Sequence, residues 1–161
     1  MSYQETLEPR PGYRPCVGLF LLDARGRVLI GQRLDTKGEA WQLPQGGIDP
    51  PETPEAAGRR EMLEEIGTDR ALLLRESAIW RSYDLPAPIL RRQWRGRYAG
   101  QTQKWLAFRF TGTDADIRLD TEHPEFRDWR WAAPDTLAGL IVPFKRDVYV
   151  SVVDEFRPLW A

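Results

Sequence analysis

Three glutamates, Glu61, Glu64 and Glu65, stand together in a segment that is typical of an α-helix. Their spacings of three and four residues place the carboxylates on one helix face, because an α-helix has about 3.6 residues per turn. Three neighbouring negative charges repel one another, and a divalent cation is the simplest relief. Oxygen ligands without a nearby His or Cys select Mg²⁺ or Mn²⁺ over Zn²⁺. The cluster therefore has two interpretations: a site for a metal-bound phosphate chain, or an ordinary solvated helix face.

The residues around this cluster predict the limits of the helix that carries it. Thr53 can cap the first turn, the following proline suits the first helical position, and Gly67 suits the position just past the end. The predicted helix therefore covers residues 54–66. Three apolar residues recur on the side that we expect to face a sheet: Ala56, Leu63 and Ile66. The three glutamates are expected elsewhere on the helix surface.

The segment between Gly46 and Thr68 resembles the Nudix box. That motif consists of Gly, five residues, Glu, seven residues, Arg-Glu, an aliphatic residue, any residue, Glu-Glu, any residue, Gly and a final aliphatic residue. The fixed positions are met by seven residues: Gly46, Glu52, Arg60, Glu61, Glu64, Glu65 and Gly67. Thr68 departs from the last aliphatic position, which serves packing rather than chemistry. The resemblance implies a mixed β-sheet between helices, with the box forming a loop, a helix and a second loop.

The resemblance also implies a metal site at the box. Glu61, Glu64 and Glu65 are expected to bind two or three Mg²⁺ ions, or Mn²⁺ in their place, and the Gly46 carbonyl is a candidate further ligand. A remaining carboxylate can accept the proton of the attacking water. That base stays open between Glu64, Glu65 and a glutamate outside the box.

Other residues of the box are expected to support this site. The resemblance implies that Glu52 and Arg60 hold the loop and the helix in place, with Gly46 and Gly67 at the two ends of the motif. Arg60 is also a catalytic candidate, because it adjoins Glu61 and could brace its carboxylate through a bidentate pair.

Segments outside the box are similar to one Nudix subfamily, the bacterial RNA pyrophosphohydrolases, also described as dinucleoside polyphosphate hydrolases. The similarity extends over roughly residues 13–156, and six segments carry it: 13–18, 41–47, 100–105, 124–126, 129–131 and 144–149. In that subfamily the glutamate of a Pro-Glu-Phe motif is a further metal ligand or base, which implies this role for Glu125. Without the resemblance, Glu125 would be interpreted as a loop carboxylate.

Basic, aromatic and amide side chains are candidates for binding the rest of the substrate: Arg14, Arg33, Gln45, Lys104, Val142, Phe144 and Lys145. The cationic side chains can contact phosphates, and Phe144 with Val142 can form an apolar shelf for a base. The loop at residues 35–40 is longer than is usual in the subfamily, which leaves the base preference open. An arginine cluster forms either an RNA-facing patch or a solvated loop: Arg91, Arg92, Arg95 and Arg97.

The resemblance implies a Mg²⁺-dependent hydrolase of a phosphoanhydride bond. The first hypothesis is removal of pyrophosphate from the 5′-triphosphate end of RNA to leave a 5′-monophosphate, a step that initiates mRNA decay. The second is hydrolysis of diadenosine tetraphosphate, or another dinucleoside polyphosphate, to ATP and AMP. Hydrolysis of free nucleoside triphosphates and non-catalytic nucleotide binding are weaker alternatives. The complete set of box glutamates disfavours the last of these.

The elements around the helix predict an α+β protein, an α/β/α sandwich rather than a doubly wound parallel sheet. Five strands are predicted, over residues 17–23, 27–33, 72–83, 104–110 and 129–133. Gly26 is expected to take positive φ in the hairpin between the first two strands. Two closing helices are predicted over residues 135–140 and 144–156, the second with an apolar stripe at Val148, Val152 and Phe156.

Bulk properties limit the remaining choices. The chain has 161 residues, a net charge of −1 and one cysteine. This length suits one domain, placed at residues 13–161 behind a flexible N-terminal arm at residues 1–12. The charge excludes the basic field of a duplex-coating protein, and the lone cysteine predicts no disulfide-linked partner. We expect a cytoplasmic enzyme with a nucleotide or RNA 5′-end substrate and no membrane partner, whereas the oligomeric state cannot be predicted.

Overall fold

A mixed β-sheet forms the centre of the protein. The computed structural model describes residues 3–35, 40–89 and 97–161. The strands in these residues are β1 (Gln4–Thr6), β2 (Arg14–Leu22), β3 (Val28–Arg33), β4 (Trp41–Gln42), β5 (Gln45–Gly47), β6 (Ala71–Asp84), β7 (Gly100–Phe110) and β8 (Phe126–Ala132). The path through the sheet is β1-β6-β7-β2-β3-β4, with β5 beside β2 and β8 beside β3. β2 and β7 are parallel, whereas the other pairs in these residues are antiparallel.

Helices cover both faces of the sheet. Among them are α1 (Pro54–Ile66), α2 (Leu137–Leu140) and α3 (Arg146–Trp160), and short 3₁₀ turns occur at Asp114–Asp116, Pro134–Thr136 and Pro143–Lys145. One core cluster joins the sheet to α1, and a second joins it to α2 and α3. Trp105 and Leu106 are consecutive on β7 and belong to different clusters, because successive side chains of a strand point to opposite faces of the sheet. The predicted α+β sandwich is therefore confirmed.

The helix that carries the glutamate cluster has the predicted limits. At its start, Thr53 Oγ1 accepts a hydrogen bond from the Ala56 N–H at 3.1 Å. At its end, Gly67 adopts φ of 75° and donates its N–H to the Leu63 carbonyl. Gly26 also has the predicted positive φ, at 75°. Such caps are local features, which explains why the sequence pattern identifies them.

Other elements begin at different residues from those predicted. The strand expected over residues 104–110 begins at Gly100, and the one expected over residues 129–133 begins at Phe126 and ends at Ala132. The additional residues of β7 are polar, so a search for apolar alternation misses them. The closing helices begin later than predicted, because Pro134 and Pro143 each open a 3₁₀ turn first.

The predicted inner face of α1 is confirmed at Ile66 and wrong at the other two residues. Ala56 and Leu63 are exposed, and the buried residues of this helix are Ala57, Gly58, Met62, Glu65 and Ile66. A Cβ atom at Gly58 would lie 2.9 Å from Leu106 Cδ1, so the helix contacts the sheet where it has no side chain. Met62 and Glu65 share that face, because they lie four and seven residues after Gly58. This rotation buries Glu65, which the apolar pattern places on the helix surface.

The expected flexible arm at residues 1–12 is corrected at Gln4–Thr6, which form β1. These residues pair with Trp80, Arg81 and Ser82 on the edge of β6. The Glu5 carboxylate accepts hydrogen bonds from the hydroxyls of Tyr3 and Ser151, both at 2.6 Å. The open edge of β6 offers unpaired backbone groups, and the contact with Ser151 ties the added strand to α3.

The helix α3 covers the face of the sheet opposite α1. Its predicted apolar stripe, Val148, Val152 and Phe156, is buried. It has 15 residues and is the longest helix of the described ranges. In the same ranges, no helix combines the length and the apolar character needed to cross a membrane.

Candidate active site

Arg60 fastens the loop before α1 to the helix. Its Nε donates to Glu52 Oε2 at 2.7 Å, and its Nη2 donates to Glu52 Oε1 at 2.9 Å, which makes a bidentate pair. Nη2 also donates to the Gly47 carbonyl at 2.8 Å. The hydrogen bonds from Arg60, assisted by the backbone N–H of Asp49, lower the pKa of Glu52 to about 2. The pair therefore holds the glycine loop beside the second turn of the helix.

The remaining nitrogen of Arg60 reaches two glutamates of the cluster. Nη1 lies 2.9 Å from Glu61 Oε1 and 3.4 Å from Glu64 Oε2. The Glu61 side chain is 12% exposed, whereas the Glu64 side chain is 50% exposed. Arg60 therefore offsets part of the repulsion between these carboxylates, and Glu64 remains accessible to water.

The Glu61 carboxylate occupies the space that a side chain at Gly46 would need. A Cβ atom at Gly46 would lie 1.9 Å from Glu61 Cδ and 2.2 Å from each carboxylate oxygen. Burial raises the pKa of Glu61 to about 7, and the Glu64 charge acts in the same direction, although the Arg60 ion pair opposes the increase. The close approach therefore requires glycine at position 46, and burial disfavours the charged form of Glu61.

Glu65 is the most buried carboxylate of the cluster, with 4% exposure. Its Oε2 has no hydrogen-bond partner in the described part of the chain. Burial raises the pKa of Glu65 well above its ordinary value, and the charges of Glu61 and Glu125 raise it further, while Arg33 opposes the increase. A buried carboxylate oxygen is costly unless a cation or a donor satisfies it. These residues therefore fit a divalent cation.

The carboxylates do not form a preassembled metal cage. Within residues 3–35, 40–89 and 97–161, no group of three His, Cys, Asp or Glu residues is arranged to hold a metal ion. Glu64 faces Arg60 and water, whereas Glu65 points into the protein. The carboxylates of Glu64 and Glu65 are therefore further apart in direction than the prediction of a single helix face implies. Glu125 is 47% exposed, and its Oε2 lies 3.8 Å from Arg33 Nη2. Its charge raises the pKa of both Glu61 and Glu65, which places it near them.

A cavity of about 420 Å³ lies near this cluster. Its apolar walls come from five residues: Leu85, Ile89, Ile141, Val142 and Phe144. The rest of the lining is mostly polar or charged: Arg33, Asp35, Ala40, Trp41, Gln42, Gln45, Gln101 and Lys145. Apolar walls with a few converging polar groups are typical of a ligand site.

Two cationic side chains reach the cavity. Arg33 donates two hydrogen bonds to the Asp35 carboxylate, at 2.7 and 2.6 Å. Lys145 is buried, and this burial together with the Arg33 charge lowers its pKa to about 8. A negative ligand would stabilise the charged form of Lys145, since opposite charges favour ionisation. This part of the cavity therefore suits phosphate groups.

Gln45 connects the cavity with the glutamate cluster. Its side chain lines the cavity, and a backbone hydrogen bond from Gln45 partly opposes the increase in the pKa of Glu65. The next residues of β5 are Gly46, which contacts Glu61, and Gly47, which accepts from Arg60. The three residues of β5 therefore border both the cavity and the glutamate cluster.

Five of the seven predicted substrate residues line the cavity: Arg33, Gln45, Val142, Phe144 and Lys145. The Arg14 guanidinium instead covers Gly47, where a Cβ atom would lie 2.3 Å from Nη2. Lys104 alternates with its neighbours on β7 and points to the other face of the sheet. There its Nζ lies 3.9 Å from Glu76 Oε2 and 5.6 Å from the centre of the Trp80 ring. The structure therefore does not bring Lys104 into the cavity.

Four polar or aromatic residues of the cavity are absent from the predicted substrate residues: Asp35, Trp41, Gln42 and Gln101. The Trp41 ring lies under the Arg130 guanidinium, 4.6 Å from it. Gln101 belongs to the polar start of β7, and alternation from Trp105 would have placed it on the cavity face. Of the predicted arginine cluster, Arg97 is exposed, and the other three members lie outside the described residues.

The NUDIX domain family matches residues 12–152 of this chain. The match includes the glycine loop, α1 and the residues that line the cavity. The chain therefore belongs to the NUDIX family, and it is a Nudix hydrolase.

Curated relatives resemble this chain over most of its length. It is 62% identical over 143 residues to the RNA pyrophosphohydrolase of Rhodospirillum rubrum, and the aligned region covers 89% of this chain and 86% of that protein. It is 50% identical over 147 residues to the RNA pyrophosphohydrolase of Rickettsia conorii, which covers 91% of each protein. These identities confirm the resemblance to the bacterial RNA pyrophosphohydrolases.

Solved structures share the fold at low sequence identity. An E. coli dihydroneopterin triphosphate pyrophosphohydrolase has a TM-score of 0.61 and 20% identity, and the match covers 89% of this chain and 98% of that one. A C. elegans Ap4A hydrolase in a binary complex has a TM-score of 0.60 and 16% identity, with the same coverage of both chains. At these identities the likeness shows the fold alone.

Proposed function

We propose that the chain is a Mg²⁺-dependent RNA 5′ pyrophosphohydrolase, which converts a 5′-triphosphate end into a 5′-monophosphate and releases pyrophosphate. One observation carries the proposal. The Glu65 carboxylate, whose Oε2 has no hydrogen-bond partner among the described residues, lies next to Gln45 of β5, and Gln45 also lines a cavity that has apolar and cationic walls. A nucleotide in that cavity would bring its phosphates towards the buried carboxylates. The high identity to two RNA pyrophosphohydrolases supports RNA as the substrate.

We assign two or three divalent cations to four carboxylates and one carbonyl: Glu61, Glu64, Glu65, Glu125 and Gly46. The pKa values of Glu61 and Glu65 are raised mainly by burial, and a neighbouring cation would lower them by favouring the charged form. When bound, Mg²⁺ or Mn²⁺ supplies Lewis-acid polarisation of the phosphate chain and makes water more acidic. Arg60 keeps the glutamate-bearing turn in place against the glycine loop.

The cavity holds the nucleotide portion of the substrate. Phe144, which is 37% exposed, and Val142 form an apolar shelf for a base. Stacking of this kind contributes about 1–3 kcal/mol per base. Lys145 acts as a point charge on phosphate oxygens, whereas Arg33, oriented by Asp35, offers a planar fork. Arg14 adds a third cation beside the glycine loop.

The proton acceptor for the attacking water is assigned to a carboxylate that water can reach. Glu64 and Glu125 have half-exposed side chains, whereas Glu65 is buried. A general base must lie within hydrogen-bond distance of its water, so Glu64 and Glu125 are preferred over Glu65. Replacing the base by Gln should lower kcat and change the pH–rate profile. Replacing a residue that acts only as a ligand should mainly weaken Mg²⁺ affinity, so that more Mg²⁺ is needed for the same rate.

A substrate panel tests the proposal. Purified protein and Mg²⁺ are supplied with equal concentrations of triphosphorylated RNA, diadenosine tetraphosphate or free nucleoside triphosphates. We expect pyrophosphate release from RNA and slower attack on the other substrates. Glu65→Gln should reduce the rate by roughly 100-fold or more, because a cation ligand is lost. Glu55→Gln is the matched control, since Glu55 lies on the same helix with a side chain that is 42% exposed.

The alternatives correspond to different outcomes of this panel. Rapid hydrolysis of diadenosine tetraphosphate with no attack on RNA would refute the proposal and support the second hypothesis. Tight nucleotide binding without turnover of any substrate would indicate a binding module. Full activity of Glu65→Gln on every substrate would contradict the cation assignment.

A further inference from the structure

The turn before α3 places a lysine side chain in the wall of the cavity. Lys145 ends the 3₁₀ turn that begins at Pro143, and its backbone N–H donates to the Val142 carbonyl at 3.1 Å. The residue lines the cavity, and only 8% of its surface is exposed. The backbone of this turn therefore limits where the amine can reach.

The Lys145 amine has no polar partner in the described part of the chain, where its Nζ makes neither a hydrogen bond nor an ion pair. The centre of the Phe144 ring lies 5.9 Å from Nζ, at the outer limit of a cation–π contact. Lys104 differs, because its Nζ lies 3.9 Å from Glu76 Oε2. A buried ammonium without a carboxylate beside it is costly, so it loses its proton more easily than an exposed one.

Burial and a neighbouring cation favour the neutral form of this amine. Burial lowers the pKa of Lys145 from 10.5 to about 8, and the Arg33 charge acts in the same direction. The Cys16 thiol and the carboxylates of Asp35 and Glu65 act in the opposite direction. At about pH 7.5 the neutral fraction is then roughly 100-fold larger than for an ordinary lysine. A lysine in a desolvated pocket beside a second cation is a typical nucleophile, because the neutral amine has a free electron pair.

The same part of the cavity attracts a phosphate group. Arg33 lines the cavity, and the Asp35 carboxylate orients its guanidinium through hydrogen bonds at 2.7 and 2.6 Å. The effect of the Arg33 charge on the pKa of Lys145 places the two side chains near each other. A planar guanidinium is well suited to phosphate oxygens. A phosphate beside Arg33 would therefore bring the group that it carries towards the Lys145 amine.

We propose that Lys145 is a modification site for small acyl phosphates, which are mixed anhydrides of a carboxylic acid and phosphoric acid. The cavity of about 420 Å³ has room for such a molecule. The neutral amine attacks the acyl carbon and forms a C–N bond, while the bond from that carbon to the phosphate oxygen breaks. Inorganic phosphate leaves and takes up the proton that the amine loses. The products are an amide at Lys145 and inorganic phosphate.

Acylation removes a positive charge from the cavity, because the amide is neutral. The acyl group also takes up space beside Phe144, which lines the same cavity. The acylated protein should therefore hydrolyse triphosphorylated RNA with a KM raised roughly 10- to 100-fold, since a charge-assisted hydrogen bond to phosphate is lost. This effect on activity rests on the proposed function, whereas the modification itself does not.

The test treats the full chain with acetyl phosphate and locates the acetyl groups by peptide mass spectrometry. The chain has three lysines, Lys37, Lys104 and Lys145, so each site is assigned separately. The second donor is p-nitrophenyl acetate, because it delivers the same acyl group without a phosphate. With acetyl phosphate, we expect Lys145 to react roughly tenfold or more faster than Lys104. This ratio should be several-fold smaller with p-nitrophenyl acetate.

Substitutions separate the nucleophile from the phosphate-binding side chain. Lys145→Arg keeps a positive charge without a reactive amine, so acetyl phosphate should no longer raise the KM for RNA. Lys104→Arg is the matched control, because it removes a lysine outside the cavity and should leave the labelling of Lys145 unchanged. Arg33→Gln should slow acetylation of Lys145 more with acetyl phosphate than with p-nitrophenyl acetate, because only the first donor has a phosphate to bind.

Two labelling results would overturn the inference. They are equal acetylation rates at Lys145 and Lys104 with acetyl phosphate, and a preference for Lys145 that is just as large with p-nitrophenyl acetate. An unchanged KM after complete acetylation of Lys145 would refute the predicted effect on activity. If the untreated protein hydrolyses no triphosphorylated RNA, the proposed function fails, while the labelling ratios still decide the modification. If circular dichroism shows that Arg33→Gln does not fold, the comparison of the two donors on wild type remains decisive.

Discussion

Metal-free protein should become less stable as the pH rises from about 5 to about 8. Burial raises the pKa of Glu61 from 4.5 to about 7 in the folded protein, and the pKa of Glu65 is raised in the same direction. The folded state therefore binds more protons than the unfolded chain within this window. Stability falls with pH wherever the folded state binds more protons. The contribution of Glu61 is thus full below 4.5 and is lost as the pH rises through about 7.

The magnitude follows from the difference between the two pKa values. One pKa unit corresponds to about 1.4 kcal/mol. The change from 4.5 to about 7 therefore corresponds to about 3 kcal/mol of unfolding free energy, and screening is limited because the Glu61 side chain is only 12% exposed. In a domain of this size, each kcal/mol changes the melting temperature by roughly 2–4 °C. Glu61 alone should therefore lower it by roughly 6–12 °C over its full titration.

The assay is thermal and urea unfolding in EDTA across this pH range, with wild type, Glu61→Gln and Glu55→Gln. Glutamine has a similar shape and no charge, so Glu61→Gln should be more stable than wild type at the upper end of the range. Across the pH range, the unfolding free energy of Glu61→Gln should fall by up to about 3 kcal/mol less than that of wild type. Glu55→Gln should keep the wild-type dependence, because the Glu55 side chain is 42% exposed. The contribution of Lys145, whose pKa does not depend on Glu61, cancels in the comparison, whereas that of Glu65 becomes smaller in Glu61→Gln because the Glu61 charge raises the pKa of Glu65.

Adding Mg²⁺ should oppose the loss of stability that the metal-free protein shows as the pH rises. A ligand present at about 100 times its Kd stabilises a protein by about 2.7 kcal/mol. Cation binding requires ionised carboxylates, so the stabilisation by Mg²⁺ should grow as the pH rises. If metal-free wild type has constant or increasing stability between about pH 5 and 8, or if Glu61→Gln shows the same slope, the reasoning about buried charge is refuted.

Two further perturbations test other contacts. Gly46→Ala should weaken Mg²⁺ affinity roughly 10- to 100-fold in a titration of activity, because the methyl group would lie 1.9 Å from Glu61 Cδ; an unchanged titration would show that the Glu61 carboxylate moves away freely. Glu155→Gln should lower the unfolding free energy in urea by about 3 kcal/mol, because the buried Arg81 loses an ionic partner at 2.6 Å; a loss below about 1 kcal/mol would show that neutral acceptors suffice for Arg81.

Local sequence signals were sufficient to predict the limits of α1. At the start of the helix, Thr53 Oγ1 accepts a hydrogen bond from the Ala56 N–H, and at its end Gly67 adopts positive φ. Both features depend on residues within a few positions of the helix terminus. The spacing of the box glutamates is equally local, which explains why the segment could be recognised before any tertiary contact was known.

The burial of Glu65 could not be predicted in this way, because it depends on a contact between distant parts of the chain. Gly58 lies against Leu106 of β7, and this contact rotates α1 away from the face that its apolar residues suggest. Leu63 remains 47% exposed as a result, and Glu65 becomes 4% exposed. The residue with the strongest indication of a cation site therefore owes its environment to a glycine that carries no chemistry of its own.

A similar dependence on tertiary structure separates Lys104 from Gln101. Both belong to the polar start of β7 and lie within one motif, but they are three residues apart and so point to opposite faces of the sheet. The predicted strand began at Lys104, so its alternation could not assign Gln101 to either face of the sheet. A strand that begins at Gly100 places Gln101, Gln103 and Trp105 on one face, where the indole can orient both amides. The polar residues of β7 on the cavity side are therefore identified by the strand boundary and its alternation rather than by charge.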